Sequence, residues 1–297
     1  MTERIHGAIR LAQLLDNGGL VQAPGAHDAL TARQVERAGF PAVYMTGFGA
    51  TASRLGLPDL GLMTQTEMTA HARDMVRATS LPVIADADTG YGGVNNLLRT
   101  VEEHVQAGTA AIHLEDQALP KRCGQLSGAR LVSPQEHAKR VAAALAARGG
   151  SPLVVIARTD ALGVQGMDAA LDRAKRYADA GADLVFVDGV KTIAQAESIA
   201  RGLSARKVLS IVDGTEAATL TARDIEAMGF NIVFYALSSL FVAAKAIADM
   251  LEALRRDGST HACAARMTTY AEFSEIVDLG RWQAFEHQFA EPDAHKS

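Results

Sequence analysis

Acidic side chains follow two neighbouring strand-like runs of the sequence. Asp86 and Asp88 end the run PVIADAD, and Glu115 and Asp116 end the run AAIHLED. Carboxylates crowded into one site repel one another unless a cation or protons compensate their charge. All-oxygen ligands suit Mg²⁺ or Mn²⁺ rather than Zn²⁺. The pattern therefore predicts a divalent-metal site, with Mg²⁺ as the expected cofactor and Mn²⁺ as a substitute. The alternative is that Asp88 caps the following helix and Asp86 accepts a neighbouring backbone N–H.

An arginine follows the next strand-like run. Arg158 lies in VVIARTD, and a guanidinium group binds a carboxylate through two parallel hydrogen bonds. Arg158 is therefore predicted to bind a carboxylate of the substrate. An ion pair with Asp160 or Glu115 is the alternative role for this side chain.

One of the two cysteines lies in a segment suited to chemistry. Cys123 stands in PKRCGQLSG, directly after the second acidic cluster, and its two glycines predict a mobile segment that could act as a lid. Lys121 and Arg122 are expected to favour the thiolate, which would suit a cysteine that exchanges protons. A passive loop thiol is the alternative, and Cys263 has no comparable setting.

Several common motifs are missing from the sequence. TGYGG is not followed by Gly-Lys-Ser/Thr as in a phosphate-binding P-loop, and no G-x-S-x-G elbow occurs. His27, His104 and His113 do not have the spacing of metal ligands. These absences leave the carboxylates, Arg158 and Cys123 as the candidate chemical groups.

Strand-like runs alternate with helix-like patterns along most of the chain, which predicts parallel β-strands joined by helices. Four junctions repeat the same phrase, AGFPAVYM, AGTAAIHL, AGADLVFV and the variant MGFNIVFY, each a helix end, a glycine and a buried strand. Eight runs are predicted as strands: Leu20–Ala23, Ala42–Thr46, Pro82–Asp86, Ala110–Glu115, Leu153–Arg158, Leu184–Asp188, Val208–Ile211 and Ile232–Tyr235.

Eight such units predict an α/β fold, a closed (β/α)8 barrel, whose chemistry lies at the carboxyl ends of the strands. A doubly wound open sheet is the alternative, and the lack of G-x-G-x-x-G after the first strand weakens it. The predicted organisation is a catalytic barrel over residues 1–256 and a helical extension over residues 257–297, in which Thr268–Ala290 has an apolar helical face.

The composition of the 297-residue chain limits the classes of binding partner to be expected. The net charge of −5 and an aromatic content of 5% argue against nucleic acid. No apolar run approaches the length of a membrane helix, and two cysteines are too few for a disulfide framework. We therefore expect a cytoplasmic enzyme that binds a small molecule and neither a membrane nor nucleic acid.

Several motifs together resemble one known family. The stretch PGAHDALTARQVERAGFPAVYMTGFGATASRLGLPDLG is followed in order by VIADADTGYGG, IHLEDQ, PKRCG and IARTDA. This series resembles the isocitrate lyase/phosphoenolpyruvate mutase superfamily over about residues 20–256. The smaller lyases of the 2-methylisocitrate lyase and 2,3-dimethylmalate lyase type are the most similar branch.

The resemblance implies roles for individual residues. Asp86 and Asp88 would hold Mg²⁺, with Glu115 near the ion; Arg158 would bind substrate and Cys123 would act as the acid or base on a gating loop. The residues implied in substrate binding are Tyr44, Thr46, Gly47, Phe48, Asp59, Gly124, Gln125, Asp188 and Ser210. It also implies a homotetramer, a dimer of dimers, in which the last barrel helix is exchanged between subunits.

Four positions depart from the family pattern. Gln125 stands where the family usually has His, Asp188 where it has Glu, and Ser210 and Asp213 where it has Asn and Glu. These changes shorten or neutralise the side of the site that faces the substrate and leave the metal side intact. We therefore expect a substrate that differs from methylisocitrate.

The predicted function is a Mg²⁺-dependent carbon–carbon lyase. It would cleave a 2-hydroxy di- or tricarboxylate to pyruvate or glyoxylate plus a second carboxylate, through an enolate that Mg²⁺ and Arg158 stabilise and Cys123 protonates. An oxaloacetate-type decarboxylase or hydrolase, which would not need Cys123, is one alternative. Carboxyphosphonoenolpyruvate-mutase-like chemistry and a ligand-binding homologue that has lost catalysis are the others.

Overall fold

The computed structural model describes residues 7–290. Its eight strands are parallel and close into a barrel in chain order. They are β1 (Val21–Ala26), β2 (Val43–Met45), β3 (Val83–Asp86), β4 (Ala111–Glu115), β5 (Val154–Thr159), β6 (Leu184–Val187), β7 (Lys207–Ile211) and β8 (Ile232–Tyr235). The predicted (β/α)8 barrel is confirmed.

Helices connect the strands and follow the barrel. They are α1 (Gly7–Asp16), α2 (Ala29–Arg37), α3 (Gly47–Leu55), α4 (Gln65–Ala78), α5 (Val94–Ala107), α6 (Pro134–Arg148), α7 (Ala161–Gln165), α8 (Met167–Asp179), α9 (Ile193–Gly202), α10 (Ala222–Ala227), α11 (Ser238–Asp257), α12 (Tyr270–Ile276) and α13 (Leu279–Phe289). Short 3₁₀ turns cover Glu216–Thr219 and His261–Arg266.

The glycine of each repeated junction has a left-handed backbone. The φ angle is 83° at Gly39, 80° at Gly108, 98° at Gly181 and 83° at Gly229. A residue with a Cβ is strained in this region, so glycine is the residue that lets a helix end and turn into the next strand. The repeated phrase therefore marks four of the turns that build the barrel.

Apolar side chains fill the barrel and the layer between strands and helices. Inside, Tyr44, Phe186 and Phe234 pack together, with Leu11 and Leu15 of α1 in the same cluster. Two further clusters lie between the strands and the surrounding helices. Close packing of this kind fixes the strand ends, from which the functional side chains project.

Most strand boundaries agree with the sequence-based expectation to within one residue, and two elements differ from it by more. The first strand continues past Ala23 to Ala26, because it pairs with β8 through Pro24 and with β2 at Gly25 and Ala26. The segment Thr268–Ala290 forms two helices, since the chain turns at Asp278 with a φ of 57°.

The chain divides into two compact units after Phe241, of which the structure describes residues 7–241 and 242–290. The predicted boundary at residue 256 remains a prediction. Within residues 7–290, no helix is both long and apolar enough to cross a lipid bilayer.

Candidate active site

A cavity of about 440 Å³ lies at the carboxyl ends of the barrel strands. Eleven of the predicted site residues line it: Tyr44, Thr46, Phe48, Asp59, Asp86, Cys123, Gly124, Gln125, Arg158, Asp188 and Ser210. The other three, Gly47, Asp88 and Glu115, are buried and contact residues of this group. The structure therefore brings all the predicted site residues together.

Asp86 is held in place at the end of β3 by backbone donors. Its Oδ1 accepts from the N–H of Asp88 at 2.9 Å and its Oδ2 from the N–H of Gly47 at 3.3 Å. A Cβ at Gly47 would stand 2.5 Å from Oδ2, so only glycine permits this approach. Burial would raise the pKa of Asp86, but His113, Lys121 and Arg158 outweigh it and lower the pKa to about 2. Asp86 is therefore ionised at neutral pH.

Asp88 lies just beyond the end of β3 in a left-handed conformation, with a φ of 47°. Such a backbone is costly for a residue with a side chain and often marks a functional position. Burial raises the pKa of Asp88 to about 6, although Lys121 opposes this shift. Asp88 does not cap the helix that follows, because Gly93 occupies the N-cap position of α5.

Lys121 pairs with two of the acidic residues. Its buried Nζ lies 2.8 Å from Asp59 Oδ1 and 2.6 Å from Asp88 Oδ1. Burial lowers the pKa of a lysine, but the surrounding carboxylates prevail and raise that of Lys121 well above its usual value. Lys121 therefore neutralises carboxylates of the site and, contrary to what its place in the sequence predicts, does not pair with the Cys123 thiol.

Glu115 is fully buried, and neither of its carboxylate oxygens has a hydrogen-bond partner among the described residues. The nearest cationic group is Arg158 Nε, 3.5 Å from Oε2. Burial raises the pKa of Glu115 well above its usual value. A buried carboxylate without a partner is costly, so this part of the site is suited to an additional cation or a proton.

The residues present fit a divalent ion held by two carboxylates. Within residues 7–290 no three acidic, histidine or cysteine side chains converge as a complete metal site. Mg²⁺ does not require one, because it commonly takes one or two carboxylates and keeps several waters. Asp86 and Asp88 offer oxygen ligands, and the carboxylate oxygens of Glu115 lack a hydrogen-bond partner among the described residues, although Arg158 Nε lies 3.5 Å from Oε2.

Asp116 does not join the acidic cluster, contrary to the sequence-based expectation of up to four carboxylates at the mouth. Its oxygens accept from Thr159 Oγ1 at 2.7 Å, Tyr177 Oη at 2.8 Å and Arg173 Nη1 at 3.0 Å. Asp116 also accepts from the backbone N–H of Asp160 at 3.0 Å. It therefore fixes the end of β5 from a buried network that includes α8.

Arg158 is buried and surrounded by carboxylates. Nη2 donates to Asp160 Oδ1 at 2.8 Å and to Asp188 Oδ2 at 2.9 Å, and the guanidinium carbon lies 5.4 Å from the centre of the Phe186 ring. Both the ion pair with Asp160 and the position on the cavity wall are present, so the two readings of Arg158 are compatible.

Tyr44 connects the cavity to the buried interior of the barrel. Its hydroxyl group lies 2.9 Å from Nε2 of His113, and its ring stacks on Phe234 with centroids 4.1 Å apart. Burial lowers the pKa of His113 to about 4, which makes its imidazole neutral at pH 7. His113 is thus a hydrogen-bonded residue of the barrel interior.

Cys123 lies half-buried on the cavity wall, in the loop after β4. The prediction that Lys121 and Arg122 favour its thiolate is wrong. Burial raises the pKa of Cys123 to about 11, and Asp59 and Asp188 contribute to the same direction. The thiol is therefore protonated at neutral pH, which suits a proton donor.

Gly124 packs directly on the arginine cluster. A Cβ at this position would stand 2.8 Å from both Arg158 Nη2 and Asp160 Oδ1, and it would also collide with Asp188. The loop can lie this close to the cluster only because residue 124 has no side chain.

Gly124→Ala is expected to displace the loop or the guanidinium group and to lower kcat/KM about tenfold or more, because sub-ångström misplacement of catalytic groups is costly. Gly150→Ala is the matched control, since a Cβ there meets nothing within 4 Å. Steady-state kinetics of both variants test this expectation, and wild-type kinetics for Gly124→Ala would contradict it.

Several residues at the cavity have no site role predicted from the sequence. Gln117 hydrogen-bonds both the loop and Asp160, and Lys191 is a cation on the cavity wall. The wall also contains apolar residues that are not predicted from the sequence: Leu126, Ile211, Val212, Leu237 and Phe241. For Gln117 the signal was its place in IHLEDQ; the wall residues carry none, because loop packing decides where they lie.

Comparison with known families gives one family model that matches most of the chain. The model described as phosphoenolpyruvate phosphomutase matches residues 11–255. A 2,3-dimethylmalate lyase from Eubacterium barkeri is 41% identical over 95% of this chain and 98% of its own length. A 2-methylisocitrate lyase from Halalkalibacterium halodurans is 39% identical over 95% of this chain and 93% of its own.

Solved structures share the fold over nearly the full length. A structure of oxaloacetate acetylhydrolase in complex with the inhibitor 3,3-difluorooxalacetate has a TM-score of 0.92 and 36% identity. The superposition covers 98% of this chain and 99% of that chain. The sequence and structure comparisons therefore agree with the resemblance drawn from the motifs.

Proposed function

Because the chain belongs to the phosphoenolpyruvate mutase/isocitrate lyase superfamily, we propose that it is a Mg²⁺-dependent lyase that cleaves the C2–C3 bond of a 2-hydroxy dicarboxylate. The products would be pyruvate or glyoxylate and a second carboxylate. One observation carries the proposal: the Asp86 carboxylate, the Arg158 guanidinium group and the protonated Cys123 thiol line a single cavity. Divalent-metal dependence is typical of the family.

The residues of the chain divide the chemistry among them. Asp86 and Asp88 would hold the metal, which when bound supplies Lewis-acid stabilisation of the developing oxyanion. The carboxylate at the 2-oxo acid end would lie beside Thr46 and Gly47 at the N-terminus of α3, because the partial positive charge of a helix N-terminus favours an anion. Glu115 lies beside Arg158 and would share in balancing the charge of the site.

Bond cleavage places an electron pair on the departing fragment. A neighbouring carboxylate of the site would accept the proton of the 2-hydroxyl group as the carbonyl group forms at C2. Arg158 would offset the negative charge of the enolate of the departing fragment, and the Cys123 thiol would donate a proton to its carbon.

The charges of the cavity favour a dicarboxylate over a tricarboxylate. Its wall carries the cations Arg158 and Lys191, and Arg158 already faces Asp160 and Asp188. Neutral Gln125 and Ser210 and an apolar wall complete the lining. A third carboxylate would be desolvated without a cationic partner, which is unfavourable, whereas alkyl substituents would contact the apolar wall.

A cleavage screen with detection of the released 2-oxo acid tests the function. In the presence of Mg²⁺, a 2,3-dialkylmalate is expected to have a kcat/KM at least about tenfold above that of a 2-methylisocitrate-like tricarboxylate. Faster cleavage of the tricarboxylate would reject the dicarboxylate preference. No 2-oxo acid from any 2-hydroxy acid would reject the lyase itself.

A second candidate function is hydrolysis of the carbon–carbon bond of an oxaloacetate-type substrate. It is favoured by the likeness to oxaloacetate acetylhydrolase over nearly the whole chain. Such a reaction would not need Cys123 as an acid. The two functions therefore differ in what a substitution at Cys123 does.

We also propose a homotetramer, a dimer of dimers, in which α11 is exchanged between subunits. Apolar side chains of residues 242–290 are exposed, among them Val242 at 69%, Trp282 at 62% and Phe285 at 64%. Extended apolar surface of this kind is typical of an interface. Light scattering during size-exclusion chromatography is expected to give four times the 31.4 kDa of one chain; a monomer would reject the assembly.

A cytoplasmic location completes the proposal. Cys123 and Cys263 are both free thiols, which is typical of proteins in a reducing compartment. Immunoblotting of cell fractions tests it, and recovery outside the cytoplasmic fraction would reject it.

A further inference from the structure

The side chain of Gln117 is fully buried and makes three hydrogen bonds. Its Oε1 accepts from the backbone N–H of Arg122 at 2.9 Å, and its Nε2 donates to the carbonyl oxygen of Arg122 at 2.7 Å. Nε2 also donates to Asp160 Oδ2 at 2.8 Å. One amide group thus binds both backbone polar groups of the residue that precedes Cys123, together with a carboxylate of the site.

Asp160 connects this amide to the candidate substrate-binding arginine. While Oδ2 of Asp160 accepts from Gln117, Oδ1 accepts from Arg158 Nε at 3.1 Å and from Arg158 Nη2 at 2.8 Å. A continuous chain of hydrogen bonds therefore runs from the Arg122 backbone through Gln117 and Asp160 to the guanidinium group.

The residue after Cys123 is fixed against the same cluster. Gly124 packs so closely on Arg158, Asp160 and Asp188 that no Cβ fits between them. Cys123 is therefore flanked by two residues whose positions depend on the arginine cluster, one through Gln117 and one through direct contact. A further backbone bond joins the Cys123 N–H to the carbonyl oxygen of Asp59 at 3.1 Å.

The chemistry of the amide explains why glutamine suits this position. A glutamate could accept from the Arg122 N–H but could not, when ionised, donate to the Arg122 carbonyl oxygen, and it would face the Asp160 carboxylate. A methionine has a similar length and no donor. In either case buried polar groups would lose their partners, which is costly while the loop stays closed.

We propose that Gln117 is a positioning residue that holds the Cys123 loop closed over the cavity and aligns it with Arg158. This inference rests on the proposed function only in giving Cys123 and Arg158 their roles; the closure itself is a property of the free enzyme. Loss of the Gln117 hydrogen bonds would shift the loop toward open conformations, because in these the backbone polar groups of Arg122 can bind water instead. Substrate that contacts both Arg158 and the loop would close it again.

The test compares Gln117→Met with the wild-type protein by alkylation of Cys123 with iodoacetamide, followed by peptide mass spectrometry. Cys123 is expected to react about tenfold faster in Gln117→Met, while the buried Cys263 keeps its rate and serves as an internal reference. Addition of a 2-hydroxy dicarboxylate with Mg²⁺ is expected to reduce the difference. Gln34→Met, on the exposed surface of α2, is the matched control.

Steady-state kinetics provide a second measurement, which a purely structural role of Gln117 would leave unchanged. The kcat/KM of Gln117→Met is expected to fall about tenfold, chiefly through a higher KM, because substrate binding must supply the energy of loop closure. Gln117→Glu, which keeps the volume and one acceptor, is expected to change both measurements in the same direction and serves if Gln117→Met does not fold.

The outcomes separate this inference from the proposed function. Alkylation of Cys123 within twofold of the wild-type rate in a folded Gln117 variant would overturn the inference, whatever the activity. If Cys123 is alkylated faster in the Gln117 variant but the wild-type protein cleaves no 2-hydroxy acid, the inference is supported and the lyase is rejected. A lower melting temperature with unchanged alkylation and KM would reduce Gln117 to a structural residue and also overturn it.

Discussion

Asp86→Ala is expected to abolish Mg²⁺-dependent turnover, with a loss of about a thousandfold or more, and to weaken Mg²⁺ binding more than about a hundredfold. The structure gives two reasons. The pKa of Asp86 is lowered to about 2, so its carboxylate carries a negative charge at neutral pH. Its removal would also leave the N–H groups of Gly47 and Asp88 without their acceptor. Loss even of a residue that only supports a metal ligand commonly costs ten- to a hundredfold in affinity, and the Lewis-acid contribution would be lost with the ion.

Calorimetric titration with Mg²⁺ and a 2-oxo acid assay measure the two effects in the same preparations. Asp86→Asn separates charge from shape, because it keeps the volume and one acceptor oxygen but removes the negative charge. Asp16→Ala is a control for loss of an acidic side chain far from the cavity. Asp16 lies on the surface, where it pairs with Arg206. Unchanged Mg²⁺ affinity in Asp86→Ala would reject the assignment of Asp86 as a metal ligand.

The barrel was predictable because its signal is local and repeated. Each of the four Ala-Gly or Met-Gly junctions combines a helix end, a left-handed glycine and a buried strand, and all eight strands lie where the apolar runs indicated. The first strand continues through Pro24 and Gly25, although both residue types are typical of a turn. Tertiary pairing with β8 at Pro24 and with β2 at Gly25 overrides that local preference.

The candidate site was predictable as a set of residues but not as a set of contacts. Asp116 shows one reason: neighbouring residues of a strand point to opposite faces, so the residue after Glu115 joins the network around Arg173 and Tyr177. Lys121 shows another. Its place next to Cys123 in the sequence predicts an interaction with the thiol, whereas the fold of the loop directs its ammonium group to Asp59 and Asp88.

The protonation state of Cys123 was mispredicted for a related reason. Neighbouring cations in the sequence lower a thiol pKa only when they lie near the sulfur atom in space, and burial acts in the opposite direction.

With a pKa of about 11 the thiol keeps its proton at neutral pH and loses it only as the pH rises through about 11. Below that range its contribution as an acid is complete, so kcat/KM should show no thiol-dependent decline near pH 8.5, the range of an ordinary cysteine.

Cys123→Ser is expected to lower kcat for cleavage of a 2-hydroxy dicarboxylate by about a hundredfold or more. A serine hydroxyl group occupies a similar volume but is a far weaker acid than a thiol, and a positioned general acid typically contributes a factor of about 10²–10⁴. Cys263→Ser is the matched control, because it makes the same atomic change at the other cysteine, which the site does not use. The 2-oxo acid assay should therefore separate the two variants, with Mg²⁺ affinity unchanged in both, since Asp86 and Asp88 are untouched. Near-normal turnover of Cys123→Ser would exclude the thiol as the proton donor and favour the oxaloacetate-type hydrolase, because hydrolysis delivers its proton from water and has no need of a side-chain acid at this position.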